Sequence, residues 1–373
     1  MVRVLYVNGG ILDMGGISSY MMNFYRHFDK SKIHIDFLTQ GLGENMYIDE
    51  LEREGSAVYQ IPNKSTNFIK NIVMMYKIIK NGKYDIVHSH ADAGNGIVLY
   101  VAKLAGVKIR ISHSHSTNFY TESKIKQILN NFQRKSIINN ATHYWGCSKE
   151  ACEWLYPSNI DSLVVNNAIS LTQFQFSQEK RQEVRNKLDL SEKTVALCQV
   201  GHFNYIKNQE YSIKILEKIL ISKRIEDVKL FFVGDGEDRY TIEKLVKNSV
   251  AKDKIIMLGA RKDVFNILQG MDVLLLPSKF EGFPVTVVES QASGLFSVVS
   301  EKITKDCCFD KRLVKFLSID SENIEEWVDA CFNIPLLNRK EGIDIVQKAG
   351  FDIINEAIKL QKRYIDLVKG EKM

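Results

Sequence analysis

Two doubly wound α/β domains, each on a parallel sheet, are the fold this 373-residue chain predicts. Three observations carry that reading. Short runs of Val, Ile and Leu recur between longer stretches of helical spacing, the pattern left by strands buried on both faces. The series halts in a polar stretch near residues 168–176 and then begins again. The length also exceeds what a single hydrophobic core usually supports.

The first series of strands reads VRVLYV (2–7), HIDFLT (34–39), AVYQIP (57–62), DIVHSH (85–90), KIRISHSH (108–115) and THYWGC (142–147). Helical spacing fills the gaps at 16–28, 67–81, 94–105 and 122–140. The second series reads TVALCQVG (194–201), VKLFFVG (228–234), KIIMLG (254–259), DVLLLP (272–277) and LFSVVS (295–300). Residues 1–170 and 171–351 are therefore expected to be the two domains. Ligands of such sheets bind beyond the carboxyl ends of the strands, which makes a cleft between two facing domains the expected site.

The composition, 45% apolar and 25% charged, is that of a globular protein. Six scattered cysteines without CxxC spacing read as free thiols in a reducing compartment, so a cytoplasmic location is expected. MVRVLYVNGG is too short in its apolar part for a signal peptide, and no run of eighteen apolar residues occurs. The net charge of +5 is unevenly placed, with twelve Lys or Arg against three acids between Gln60 and Asn140. Basic and apolar residues alternate in NFIKNIVMMYKIIKNGK (67–83). Residues 64–135 are thus a candidate for peripheral contact with an anionic membrane on its inner face, with a solvated helix face as the alternative.

Several strand ends carry chemistry. Gly15 and Gly16 lie between the first strand and first helix, where backbone N–H groups can approach phosphate; a tight turn would look the same. In VGHFNYIKN (200–208) Lys207 stands at the mouth of a helix and can place a point charge on a diphosphate. Gly234 in VGDGEDRY and Arg261 in LGARKDV occupy equivalent turns that could wall a nucleotide base, or be ordinary connections.

The richest stretch is SKFEGFPVTVVESQASG (278–294). Pro284 suits a first helical turn, so a helix should run from about Pro284 to Ser293 and stop near Gly294. Its free N–H groups, on Val285 and Thr286, could hold phosphate oxygens, with Phe283 just ahead of them. Glu281 would hang over whatever is attached to that phosphate, and Glu289 could take vicinal hydroxyls such as those of ribose. A capped surface helix bearing two solvated acids is the plain alternative.

Four histidines, His88, His90, His113 and His115, close two strands expected to be neighbours. They could bind a divalent metal, though no carboxylate or cysteine follows at a convincing distance. Alternation puts His113 and His115 on one face, with His115 nearer the cleft and able to meet a sugar hydroxyl.

Together these residues resemble a retaining glycosyltransferase of family four, with the GT-B fold of two facing Rossmann-like domains. The mark is E-x7-E, here Glu281 to Glu289, joined by the Gly15-Gly16 loop, His115 and Lys207. The segment GFDIINEAIKLQKRYIDL (350–367) resembles the family's terminal helix, which implies that residues 352–373 join the first domain. The bacterial enzymes that build capsular and exopolysaccharide units are the most similar in character.

The resemblance implies a nucleotide-sugar donor, a UDP-sugar by family habit, in the second domain. It implies a saccharide acceptor, lipid-linked, in the first. Neither a metal cofactor nor a nucleic-acid partner is expected. Gly16 and Lys207 would meet the diphosphate, Glu281 the donor sugar and Glu289 the ribose, while His115 would stabilise charge near the anomeric carbon. One position departs: His202 stands where the family carries Arg, which predicts weaker or pH-dependent diphosphate binding. Two rival readings follow, a catalytically silent nucleotide-sugar-binding partner of another transferase and a metal-dependent hydrolase using the histidines.

Overall fold

The computed structural model describes residues 1–13, 15–118, 124–224 and 227–371. The chain divides into two compact units, Met1–Ala168 with Ile353–Met373, and Ile169–Asp352.

The first unit is a seven-stranded parallel sheet: β1 (Val2–Asn8), β2 (Ile33–Gln40), β3 (Val58–Ile61), β4 (Ile86–His90), β5 (Ile109–Ser114), β6 (His143–Gly146) and β7 (Leu163–Val164). Its order, β3-β2-β1-β4-β5-β6-β7, reverses direction between β1 and β4. Alternation along β1 explains the unbroken apolar run: Val4 and Tyr6 enter one core, Leu5 and Val7 the other. Helices Phe68–Gly82 and Asn95–Leu104 cover the second face, burying Met75, Ile79, Val98 and Leu99.

The first face is covered by helix Gly16–His27 and by the last helix, Ile353–Lys369. Ile353, Ala357, Leu360 and Tyr364 recur at spacings of three and four and are all buried. Full burial of each large apolar side chain is worth roughly 1.5–3 kcal/mol. Tyr364 Oη also lies 2.9 Å from Tyr6 Oη and 2.7 Å from His88 Nδ1. The C-terminal helix is therefore part of the first unit's core.

The second unit is a six-stranded parallel sheet of β8 (Val195–Val200), β9 (Val228–Val233), β10 (Ile255–Gly259), β11 (Val273–Leu276), β12 (Phe296–Ser300) and β13 (Val314–Leu317). Its order is β10-β9-β8-β11-β12-β13, again reversing once, between β8 and β11. Leu197, Phe232, Tyr211 and Trp327 anchor its core.

The strands expected from the apolar runs are all present, with ends within one residue of those runs. Two edge strands were not anticipated: β7 has only two residues, and β13 carries exposed Lys315 in its middle. The helix expected over 122–140 is found as Lys124–Asn140, and residues 122–123 lie outside the described ones. All six cysteines are free. Among the described residues no helix is long and apolar enough to cross a membrane.

Candidate active site

In the second unit the turns after β8, β9 and β10 are tied together at their carboxyl ends. Gly201 N–H donates to Val233 O at 3.0 Å, Phe203 N–H to Asp235 O at 2.9 Å, and Gly234 N–H to Gly259 O at 2.9 Å. Close approach demands glycine here. A Cβ on Gly234 would stand 1.9 Å from Gly201 O, and its φ of +150° already disfavours a side chain. At Gly236 a Cβ would stand 2.4 Å from Phe203 O.

Lys207 closes the turn after β8. The following residue, Asn208, adopts φ +55° and starts helix Gln209–Ser222, while its side-chain amide donates to Pro277 O at 3.1 Å. Lys279 N–H donates to Ile206 O at 2.8 Å and the Gln199 amide to Lys207 O at 2.6 Å, so the turn is fastened on both sides. The Lys207 ammonium donates to Glu281 Oε1 at 2.6 Å, with both side chains mostly buried (16% and 13% exposed). A charge-assisted contact of this length, largely shielded from water, is stronger than a surface ion pair.

The helix after Glu281 spans Val285–Ala292, with Pro284 as N-cap in an extended conformation. This corrects the expected start by one residue: Pro284 precedes the first turn, with ψ 90°, and Val287 N–H bonds Pro284 O at 3.0 Å. Val285 and Thr286 are partly exposed at that helix start. Phe283 is buried, its ring stacked on Phe351 at 5.2 Å between centroids, so it shapes the turn through packing.

One turn into the helix, burial pushes the Glu289 carboxyl up to about 8, opposed by a smaller lowering from the Lys207 ammonium. The folded-state pKa thus lies above the unfolded one. The cost of carrying the charge is absent below about pH 4.5 and grows until about pH 8. Glu289→Gln mimics the protonated acid, so its melting temperature relative to wild type should rise from pH 5 to pH 9, by a few kcal/mol in stability at order of magnitude. Thermal denaturation across that range checks this; a difference that does not vary with pH contradicts it.

His202 Nε2 lies 2.6 Å from Glu237 Oε2, and both side chains are exposed. Arg261 makes a bidentate contact with Asp263, both distances 2.8 Å, on the exposed turn after β10. Lys207, His202 and Arg261 each therefore already have an acidic partner.

In the first unit Gly15 is the N-cap of helix Gly16–His27. The Asp13 carboxylate accepts from Gly15 N–H at 2.8 Å and from the Ser18 hydroxyl at 3.0 Å. An anion thus already stands against the helix start, where it is favoured by the unpaired amides. A Cβ on Gly16 would meet nothing within 4 Å, so that backbone is open.

The four histidines come together, because β4 pairs directly with β5, Ser89 opposite Ser112. His88 Nε2 lies 3.0 Å from His113 Nδ1, and His90 Nδ1 lies 2.9 Å from His115 Nε2. Rings of His113 and His115 stack at 4.3 Å. His88, His90 and His113 are fully buried, and His115 keeps 7% exposure. Burial, with mutual repulsion for the inner three, holds those well below the usual imidazole range and pushes His115 down to about 3, so all four are neutral at pH 7.

Sequence spacing gave no sign of Asp92, which bends into the left-handed region at φ +47° and accepts the His115 backbone N–H at 2.6 Å. Burial raises its carboxyl to about 6. A local signal exists, since Asp in the turn after a strand is the residue type that tolerates this conformation and bonds nearby backbone.

Nitrogens of His88, His90 and His113 do lie within 4.8 Å of one another. Yet His88 spends both nitrogens on Tyr364 and His113. His88, His90 and His113 are also fully buried, which gives a hydrolase substrate no entry to a metal among them. This geometry does not support the hydrolase reading.

Two parallel-sheet α/β units, the second bearing an E-x7-E pair at its strand ends, define the GT-B class of transferase. Residues 14–173 match the family described as Glycosyltransferase Family 4, and residues 180–330 match Glycosyl transferases group 1. The chain belongs to this glycosyltransferase family. It is 30% identical to the putative glycosyltransferase EpsF of Bacillus subtilis, covering 88% of this chain and 86% of that one. It is 27% identical to the UDP-Gal:alpha-D-GlcNAc-diphosphoundecaprenol alpha-1,3-galactosyltransferase of Escherichia coli, with 80% of each covered. Among solved structures, Anabaena Alr3699/HepE in complex with UDP-glucose superposes with a TM-score of 0.79 at 12% identity, over 99% of this chain and 100% of that one.

Proposed function

We propose that this glycosyltransferase moves a hexosyl group from a UDP-sugar to a lipid-linked saccharide, with retention at the anomeric carbon, in capsule or exopolysaccharide synthesis. The observation that carries the reading is the Lys207–Glu281 contact, 2.6 Å long, beside the open start of the Val285–Ala292 helix. A cation and free amides at one strand-end turn suit a leaving diphosphate, so no metal is needed for charge neutralisation. The E. coli relative is named for a UDP-sugar donor and a diphosphoundecaprenol-linked acceptor, and the Anabaena structure is a complex with UDP-glucose.

The anomeric C–O bond breaks and its electron pair passes to the diphosphate, held by Lys207 and the Val285 and Thr286 amides. The acceptor hydroxyl attacks from the same face and gives its proton to the departing diphosphate oxygen, because none of the described site residues offers itself as a covalent nucleophile. Glu281 bonds donor-sugar hydroxyls once Lys207 turns to phosphate. Glu289 takes the ribose diol, and in the first unit His115 meets a sugar hydroxyl of the substrate. The turns bearing Gly234 and Arg261 flank the base. Incubation with a panel of UDP-sugars and a diphospholipid-linked saccharide should give a product of unchanged anomeric configuration by NMR; an inverted product, or no turnover of any nucleotide sugar, contradicts the proposal.

The proposed work at a membrane rests on helix Phe68–Gly82. Phe68, Ile69 and Val73 are exposed on it beside Lys70 and Lys77, and Leu104 and Phe132 are exposed on the neighbouring helices. Apolar side chains among lysines match an anionic lipid surface, at roughly 1 kcal/mol per basic residue. Replacing Ile69 and Val73 together by Glu should cut flotation with phosphatidylglycerol vesicles at least tenfold, while turnover of a short-chain soluble acceptor persists. Equal flotation of both proteins contradicts the membrane role.

A further inference from the structure

We propose that His90 is a positioning residue that fixes His115 as its neutral Nδ1–H tautomer, so that His115 meets its ligand as a hydrogen-bond donor and not as a base. The functional consequence rests on the role given above to His115; the tautomer itself does not.

The 2.9 Å contact between His90 Nδ1 and His115 Nε2 holds one proton between two neutral rings. In one arrangement His115 Nε2 carries it and His90 must carry its own proton on Nε2. That nitrogen is buried and has no partner, so an unpaired N–H would be locked in the core. In the other arrangement His90 Nδ1–H donates, and only a bare lone pair is left at His90 Nε2. Of the two, an orphaned buried N–H is the rarer. The second arrangement therefore prevails, and it places the His115 proton on Nδ1, the nitrogen turned away from His90.

The surroundings leave His90 no alternative pose. Tyr6 packs edge-on against it at 5.0 Å and Tyr20 packs tilted at 5.5 Å, while His115 is stacked on His113 and tied through its backbone N–H to Asp92. Ring and backbone of His115 are thus held from opposite ends, and it is the one histidine of the four that reaches the surface. A neutral Nδ1–H cannot accept a proton at that atom, which removes general-base chemistry from His115.

Two measurements test this. In wild-type protein with 15N-labelled histidine, two-bond proton–nitrogen correlation spectra at pH 7 should show the His115 proton on Nδ1. A proton on Nε2 overturns the proposal, whatever the enzyme's substrate proves to be. For the functional half, His90→Phe keeps ring shape without a donor and His90→Gln restores an N–H. With a turned-over UDP-sugar, His90→Phe should lower kcat roughly 10- to 100-fold with donor KM changed less than about threefold, and His90→Gln should recover part of it. Equal kcat in wild type and His90→Phe overturns the positioning role, as does an equal loss in both variants that tracks their melting temperatures.

Discussion

Lys207→Ala is expected to lower kcat/KM by roughly 10²–10³, the loss typical of one preorganised donor aimed at developing charge. The substitution does two things at once. It removes the ammonium proposed to neutralise the leaving diphosphate, and it takes from the Glu281 carboxylate, 13% exposed, the cation 2.6 Å away. Taking the cation away from a mostly buried carboxylate is itself costly. Pairing the change with Glu281→Gln separates the effects: stability should return toward wild type while activity stays low. Lys207→Arg should not rescue, because a planar guanidinium fork does not reproduce the compact ammonium that meets Glu281 Oε1 at 2.6 Å. Steady-state kinetics with UDP-sugar check all three, and a Lys207→Ala enzyme within about threefold of wild type contradicts the assignment.

Gly234→Ala should be the most damaging single methyl group in the second unit. Its Cβ would lie 1.9 Å from the Gly201 carbonyl oxygen and 3.3 Å from the Phe203 ring, at φ +150°. Neither backbone can retreat, because Gly201 N–H is bonded to Val233 O and Gly234 N–H to Gly259 O. A loss of about 3 kcal/mol or more is expected, lowering the melting temperature by roughly 6–12 °C. The informative control is Gly259→Ala, where φ is +68° but nothing lies within 4 Å of the new atom. It should cost only about 1 kcal/mol. Differential scanning calorimetry compares the two, and similar melting temperatures would show that close approach does not constrain the β8 and β9 turns.

What the sequence revealed, and what it withheld, follows from the range of the interactions. Strands buried on both faces leave unbroken apolar runs, so β1, β8 and their neighbours were legible. β7 and β13 lie at sheet edges, are short or half-exposed, and leave no such run. The Glu281–Glu289 spacing and the helix between them are local, and were legible to within one residue of the helix start. Contacts between distant residues were not. Nothing in the spacing pairs Lys207 with Glu281 across 74 positions, His90 with His115 across 25, or Tyr364 with Tyr6 across 358. Asp13 at the Gly15 turn and Glu237 against His202 show the same limit in acids that composition lists only as charge. The histidines illustrate it best: spacing brought four imidazoles to adjacent strand ends, but only the hydrogen bonds reveal two neutral pairs with defined partners.

The central claim is that the second unit grips a nucleoside diphosphate between Lys207, the first amides of the Val285–Ala292 helix and Glu289. A crystal structure of the protein with UDP tests it most directly. The account predicts the diphosphate within hydrogen-bonding distance of Lys207 Nζ and the Val285 and Thr286 amides, with the ribose hydroxyls on Glu289. UDP bound with its phosphates away from Lys207 and its ribose away from Glu289 would contradict it.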